Sequence, residues 1–260
     1  MVNIGDINVN YQIYGEGESL IMIMGYGSTM NLWEHQLIDS LSKSYQVIIF
    51  DNRGMGETTA GEKVFGIEQF ADDTAALMVA LQIDQAHLLG WSMGSYIAQE
   101  LALRYPEKVN KLILYASLCN PEMYPPASEV MDTLSDPSGT PQEQGTRWIS
   151  LLFPDTWLKN DTHRLKEIFY RPMGSINPEN IQKQGLAIGQ WPGTCDRLSA
   201  ILNETLLISG AEDVLVPVEN SKYLLSKMPH ATLSIIPAAG HGLMFQEPEQ
   251  FGQVILEFLG

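Results

Sequence analysis

The chain is poor in cysteine, and this shortage narrows the classes of protein to which it can belong. Its 260 residues include only two cysteines, Cys119 and Cys195, too few for the disulfide framework of a small secreted domain. We expect two reduced, buried thiols. A bridge between them is the alternative, because both flank the irregular segment described below. A chain of this length can bury a large core without cross-links.

Positive charge and long apolar runs are also scarce. The sequence has 15 lysines and arginines but 31 acidic residues, so the formal net charge is −16. Nucleic acids and anionic membranes bind basic patches, so the composition argues against both as main partners. No stretch approaches the roughly 18 apolar residues that span a bilayer, and the first residues lack the basic and apolar regions of a signal peptide. We therefore expect a cytoplasmic protein.

Short apolar runs alternate with amphipathic segments along the first half of the chain. Hydrophobic residues from Val2 to Ile13 follow a period of two around Gly5-Asp6, which is typical of a β-hairpin. Four later runs predict buried, parallel strands. These runs are Leu20–Met24, Val47–Phe50, His87–Leu89 and Leu112–Tyr115. Because helical patterns lie between them, the sequence predicts an α/β fold with a mostly parallel, doubly wound sheet.

The alternation stops between residues 121 and 197, which hold prolines, three tryptophans and short helical patterns but no strand pattern. Strand and helix patterns then resume. They predict strands at Leu206–Ser209 and Leu233–Ile236, and helices at Glu219–Lys227 and Pro248–Leu259. We predict one core domain, residues 1–120 and 198–260, with a mostly helical insertion at 121–197.

The pentapeptide Gly90-Trp91-Ser92-Met93-Gly94 lies between a predicted strand and a predicted helix. A nucleophile elbow needs a sharp strand-to-helix turn with small residues at both ends. We therefore predict that Ser92 is a catalytic nucleophile, and that the Met93 amide at the helix N-terminus stabilises an oxyanion. A glycine-rich turn with a capping serine is the alternative.

A nucleophilic serine needs a base and a carboxylate that orients this base. Of five histidines, His241 lies in a small-residue loop after the last predicted strand, where a parallel sheet collects its active groups. Glu212 and Asp213 follow the preceding strand, and either carboxylate could reach His241. The glycine loop after Leu20–Met24 offers the Tyr26 amide as a second oxyanion donor.

These motifs together resemble the α/β-hydrolase superfamily over nearly the whole chain. The resemblance implies a Ser92, Asp213 and His241 triad, and its Gly-x-x-Asp pattern favours Asp213 over Glu212. It also implies a helical cap or lid at residues 121–197.

Three other features of the sequence can be compared with the family pattern, and one of them departs from it. The segment Asp51-Asn52-Arg53-Gly54-Met55-Gly56 resembles a loop that is structural in the family. The oxyanion loop begins Met24-Gly25, where the family usually has His-Gly. Trp91 and Trp33 resemble the branch of pimeloyl-carrier-protein methyl esterases.

We therefore expect a serine hydrolase that cleaves a small or medium acyl ester through an acyl-enzyme on Ser92, without metal or cofactor. Aromatic residues are expected to form its pocket. They are Trp91, Trp148, Trp157 and Trp191, with Phe153, Phe169 and Tyr170 as further candidates.

Several alternatives stay open. A perhydrolase, a lactonase or a C–C hydrolase would use the same triad, and a ligand receptor could share the fold. A dinucleotide-binding protein would explain Gly25-x-Gly27 after a strand and an acid at Asp51. However, Met30 stands where that motif needs its third glycine, and the Ser92 elbow would have no role.

Overall fold

The computed structural model describes residues 1–169 and 174–260. The strands are β1 (Val2–Asn3), β2 (Asn8–Val9), β3 (Tyr11–Tyr14), β4 (Glu18–Ile23), β5 (Tyr45–Phe50), β6 (Ala86–Trp91), β7 (Val109–Tyr115), β8 (Thr205–Gly210) and β9 (Ala231–Ile236). The helices are α1 (His35–Leu41), α2 (Ile67–Ala80), α3 (Met93–Arg104), α4 (Ser128–Ser135), α5 (Pro141–Leu152), α6 (Asp155–Asn160), α7 (Thr162–Phe169), α8 (Pro178–Gln190), α9 (Val218–Lys227), α10 (Leu243–Gln246) and α11 (Pro248–Leu259).

Seven strands form the central sheet in the order β3-β5-β4-β6-β7-β8-β9. Strand β3 is antiparallel to β5, and the other neighbours are parallel. Strand β4 lies between β5 and β6, so the chain changes direction across the sheet at this point. Crevices for ligands form at the carboxyl ends of strands beside such a reversal. The loop after β4 and the turn after β6 therefore face the expected site.

The predicted fold class is confirmed, because the sheet is mostly parallel and helices connect its strands. All residues of β6 are buried, as expected for a strand with helices on both faces. The N-terminal hairpin also forms, with Val2 opposite Val9. Residues Tyr11–Tyr14 instead pair with β5 at the edge of the main sheet.

The insertion, residues 121–197, connects β7 to β8. Its regular elements within the described ranges are the helices α4 to α8. The proposed cap boundaries at 121 and 197 stay a prediction. Tyr170 and the side chain of Phe169 lie outside what the structure describes.

The two cysteines form a disulfide, so our expectation of reduced thiols is wrong. Cys119 follows β7 and Cys195 precedes β8, and their Cα atoms are 5.0 Å apart despite a sequence separation of 76. Adjacent parallel strands bring the two ends of the insertion together, which places the thiols within bonding distance. The bond therefore closes the base of the insertion covalently.

Side chains of the loop after β5 form ion pairs and hydrogen bonds with other parts of the core, as expected for a structural loop. The Arg53 guanidinium lies between Asp6 and Asp73, with nitrogen–oxygen distances of 2.8 and 2.7 Å, and its side chain is fully buried. The hydrogen bond from Arg53 lowers the pKa of Asp6. Asp51 accepts a hydrogen bond from the Met30 amide at 2.8 Å. The loop after β5 thus also fixes the loop after β4.

Candidate active site

Ser92 occupies a strained turn between β6 and α3. Its φ is +53°, in a region that non-glycine residues enter at a cost of about 1–3 kcal/mol. A Cβ at Gly90 would lie 2.3 Å from the Gly94 carbonyl oxygen, and one at Gly94 would lie 2.0 Å from the Ile23 carbonyl oxygen. Only glycine fits at either position. The Ser92 amide donates to the Tyr115 carbonyl at 2.9 Å, which ties the turn to β7.

His241 and Asp213 form a buried pair. The His241 Nδ1 atom lies 2.8 Å from Asp213 Oδ2, and the two residues are 4% and 6% exposed. The other carboxylate oxygen accepts from the amides of Leu215 and Val216, both at 2.9 Å. A neutral imidazole that donates from Nδ1 carries its lone pair on Nε2. Glu212 is exposed, so of the two acidic residues it is Asp213 that the fold places against the ring.

The backbone of His241 is held beside the elbow. Its carbonyl accepts hydrogen bonds from Trp91 Nε1 at 3.2 Å and from the Tyr115 hydroxyl. Burial raises the pKa of Tyr115 well above its usual value, and the negative charge of Asp213 adds to this rise. The Trp91 and His241 rings lie 5.6 Å apart. The residue before Ser92 therefore anchors the histidine loop.

The loop after β4 packs directly against Ser92. A Cβ built at Gly25 would lie 3.4 Å from Ser92 Cβ, which is ordinary van der Waals contact. The Tyr26 amide is in the next peptide unit of this loop. Met93 is the first residue of α3, where the backbone amides have no partner within the helix. The two candidate oxyanion donors thus belong to two segments that both adjoin Ser92.

Ser92 and His241 line the same cavity, which has a volume of about 950 Å³. Trp91 and Trp148 line it too, as predicted pocket residues. Much of the remaining wall is apolar, and the insertion adds polar groups, including Gln144 and Arg147. The apolar residues of the wall include Leu32, Ile149, Leu152, Ile181, Ile188 and Val216.

The two other predicted pocket tryptophans each stack on a neighbouring aromatic ring. Trp157 stacks on Phe153 with ring centroids 4.4 Å apart. Trp191 stacks on Tyr96 at 5.1 Å, and its Nε1 donates to the buried Glu100 carboxylate at 2.9 Å. Each ring is thus engaged by an aromatic neighbour, and the assignment of Trp157 and Trp191 to the pocket stays a prediction.

Tyr96 is a site residue that our sequence reasoning missed. It is 5% exposed and lines the cavity. Burial raises the pKa of its phenol, the charge of Asp213 raises it further, and a hydrogen bond with the Ser92 side chain opposes the rise. The signal was available, because Tyr96 follows Ser92 by four positions, about one turn of the helix that begins at Met93.

Groups of three or more acidic, histidine or cysteine side chains that could hold a metal ion do not occur among residues 1–169 and 174–260. Within the same ranges, no helix combines the length and the apolar character needed to cross a bilayer.

The chain matches known proteins over most of its length. Residues 18–248 match the family model described as alpha/beta hydrolase fold. A protein from a Caulobacter species with the provisional name carbamate hydrolase RutD is 28% identical over 247 residues, which covers 93% of this chain and 90% of that protein. A pimeloyl-[acyl-carrier protein] methyl ester esterase from Aeromonas hydrophila is 26% identical over 262 residues, covering 98% and 100%. A solved structure of a thermophilic esterase from Thermogutta terrifontis superposes with a TM-score of 0.83 and 25% identity, covering 97% and 93%.

Proposed function

The chain belongs to the α/β-hydrolase fold family, and from this premise we propose that it is a serine hydrolase that cleaves a carboxylic ester. The observation that carries the proposal is the shared cavity of Ser92 and His241, together with the 2.8 Å contact between His241 Nδ1 and Asp213. A hydroxyl, an imidazole and a buried carboxylate in this order are the groups that acyl transfer requires.

In the proposed reaction, Ser92 Oγ attacks the ester carbonyl while His241 Nε2 takes its proton. Asp213 holds the imidazole and stabilises the imidazolium that forms. The amides of Met93 and Tyr26 bind the oxyanion of the tetrahedral intermediate, and each such donor is worth roughly 10²–10³ in turnover. His241 then protonates the leaving alcohol. Water, activated by the same imidazole, hydrolyses the acyl-enzyme and regenerates Ser92.

The cavity supports a small-molecule substrate with an apolar acyl group. Its wall carries Trp91, Trp148 and several aliphatic side chains, and its volume of about 950 Å³ accommodates more than a short acyl chain. We therefore propose a small or medium acyl ester. A carbamate is the second candidate, because a relative that covers 93% of this chain is provisionally named a carbamate hydrolase, and the same nucleophile can attack a carbamate carbonyl.

The proposal is tested with the Ser92→Ala variant on a series of nitrophenyl esters of increasing acyl length, with a nitrophenyl carbamate and a lactone in the same panel. We expect turnover to fall by roughly 10³ or more, because the nucleophile is lost. Ser226→Ala, at an exposed serine of α9, is the matched control and should retain full activity. Near-normal ester hydrolysis by Ser92→Ala would reject the mechanism. The acyl length and leaving group with the highest kcat/KM define the substrate class.

The cytoplasmic location expected from the sequence remains a prediction. Cytosolic reductants keep most thiols reduced, so this location would require the Cys119–Cys195 bond to resist reduction. Cys119 is 1% exposed, which restricts the access of a reductant to its sulfur.

A further inference from the structure

A glutamine of the insertion contacts the loop that carries a proposed oxyanion donor. Gln184 lies on α8 and is fully buried. Its Oε1 atom accepts a hydrogen bond from the Gly27 amide at 2.9 Å. Gly27 follows Tyr26, whose amide we propose as the second oxyanion donor. The contact joins residues 157 positions apart, one in the insertion and one in the core.

Residues of the core bind the two ends of the loop after β4, and helix α8 of the insertion binds its middle. At the first end, Asn52 Nδ2 donates to the Met24 carbonyl at 3.0 Å. At the far end, Asp51 accepts from the Met30 amide at 2.8 Å. Between these points Gly27 has a φ of +67°, a conformation that glycine adopts readily because it has no Cβ. In the peptide unit between Tyr26 and Gly27, Gln184 binds the amide and Ser28 Oγ donates to the carbonyl at 3.2 Å.

Helix α8 reinforces this contact on both sides of Gln184. Asn180 Nδ2 donates to the Gly54 carbonyl at 2.8 Å. One residue after Gln184, a Cβ at Gly185 would lie 3.4 Å from the Tyr26 hydroxyl oxygen. The helix therefore packs closely on the loops after β4 and β5.

The chemistry of Gln184 also indicates a role beyond filling space. Its Nε2 atom is buried without a hydrogen-bond partner in the part of the chain that the structure describes. A buried amide donor in this state destabilises the folded protein, and an apolar side chain of similar size would not have this effect. An apolar side chain could not accept the hydrogen bond from the Gly27 amide that Gln184 accepts.

We propose that Gln184 is a positioning residue for the oxyanion hole, so that the Tyr26 donor reaches its working geometry only when α8 is docked on the core. Through the peptide unit between Tyr26 and Gly27, the bond restricts the backbone angles of Tyr26 and hence the direction of its amide. The inference rests on the proposed serine hydrolase mechanism, since it concerns a donor of that mechanism.

The test compares Gln184→Met, which removes the acceptor at similar length, with Gln184→Glu, which keeps an acceptor for the Gly27 amide. Gln190→Met is the matched control, because Gln190 is an exposed residue at the end of the same helix. For each protein we would measure kcat and KM on a nitrophenyl ester, and the inhibition constant of an alkylboronic acid. The boronic acid forms a tetrahedral adduct on the serine and places an oxygen in the oxyanion hole.

We expect Gln184→Met to lower kcat by about 10- to 100-fold with little change in KM, because a displaced donor loses part of the roughly 10²–10³ that an intact one contributes. Boronic acid affinity should fall by a similar factor, and Gln184→Glu should recover most of both losses. If Gln184→Met does not fold, Gln184→Asn withdraws the acceptor by one methylene and carries the same expectation.

Three results would overturn the inference. They are a kcat for Gln184→Met within two-fold of Gln190→Met, a rise in KM without a fall in kcat, and equal losses in Gln184→Glu and Gln184→Met. Any of these, obtained with a wild-type protein whose activity depends on Ser92, rejects the role of Gln184 and leaves the proposed function intact. A wild-type protein without Ser92-dependent hydrolysis rejects the proposed function, and the inference with it.

Discussion

Replacing both disulfide cysteines with alanine should lower the stability of the protein while leaving its site in place. The bond closes a loop over a sequence separation of 76. The chain-entropy relation gives a loss of about 15 cal/mol/K for a loop of this length, or about 4.5 kcal/mol at 25 °C. With a urea slope of about 3 kcal/mol per M, the midpoint of unfolding should fall by about 1.5 M.

The native contacts around the disulfide explain why activity should survive its removal. The Thr194 amide donates to the Cys119 carbonyl at 2.8 Å. Arg197 Nη1 lies 3.0 Å from the buried Glu100 carboxylate, which also binds Trp191. These contacts hold the base of the insertion without the covalent bond. The loss therefore acts mainly on the unfolded chain, and kcat at 25 °C should change by less than about two-fold.

The assay is urea unfolding followed by fluorescence, with and without a phosphine reductant. Reductant should shift the wild-type midpoint toward that of the Cys119→Ala/Cys195→Ala variant, and it should leave the variant unchanged. A double variant as stable as the wild type would refute the argument from loop entropy. A double variant that is stable but inactive would show instead that the bond shapes the site.

Further predictions concern the triad, the elbow and the buried ion cluster. Asp213→Asn should lower kcat by roughly 10⁴ with little change in the folded structure, because the imidazole loses its orienting acceptor; steady-state kinetics and circular dichroism check this. Gly94→Ala should abolish activity or soluble expression, since the added Cβ would lie 2.0 Å from the Ile23 carbonyl oxygen, and a near-normal variant would contradict the elbow geometry. Arg53 lowers the pKa of Asp6 in the folded protein. The ionised Asp6 carboxylate therefore stabilises the fold above the unfolded-state pKa of about 3.9, and this stabilisation is lost as the pH falls toward the folded-state pKa. Urea midpoints of the wild type and Asp6→Asn should therefore differ at pH 7 and converge as the pH falls from about 4 toward 2; a constant difference would exclude the linkage.

The features that the sequence predicts well are those whose signal is local. Gly90, Ser92 and Gly94 lie within five residues, and each glycine is needed because a Cβ would meet backbone atoms of the same turn or of β4. The helix Pro248–Leu259 likewise carries its signal in its own amphipathic pattern and is found with the predicted bounds. In these cases the local pattern and the tertiary structure favour the same conformation.

The cysteine pairing and the surroundings of Trp191 depend on distant partners, and the sequence analysis did not predict them. The pairing of Cys119 with Cys195 depends on β7 and β8 being neighbours, which no local pattern encodes. The sequence predicts Trp191 as a pocket residue because it is an aromatic residue of the insertion, and it does not predict that the buried Glu100 carboxylate binds its indole nitrogen. Whether an aromatic ring lines a cavity or packs behind it is decided by its tertiary neighbours.

The groups proposed for catalysis and the apolar wall proposed for substrate selection lie in different parts of the chain. Ser92, Asp213 and His241 all belong to the core, as do both proposed oxyanion donors. The apolar wall that would select an acyl group comes largely from the insertion, including Trp148 and Ile149. Gln184 joins the two, because a helix of the insertion holds the Gly27 amide at 2.9 Å. A change of substrate that shifts α8 should therefore alter kcat as well as KM, since the same movement would displace the loop that carries the Tyr26 amide.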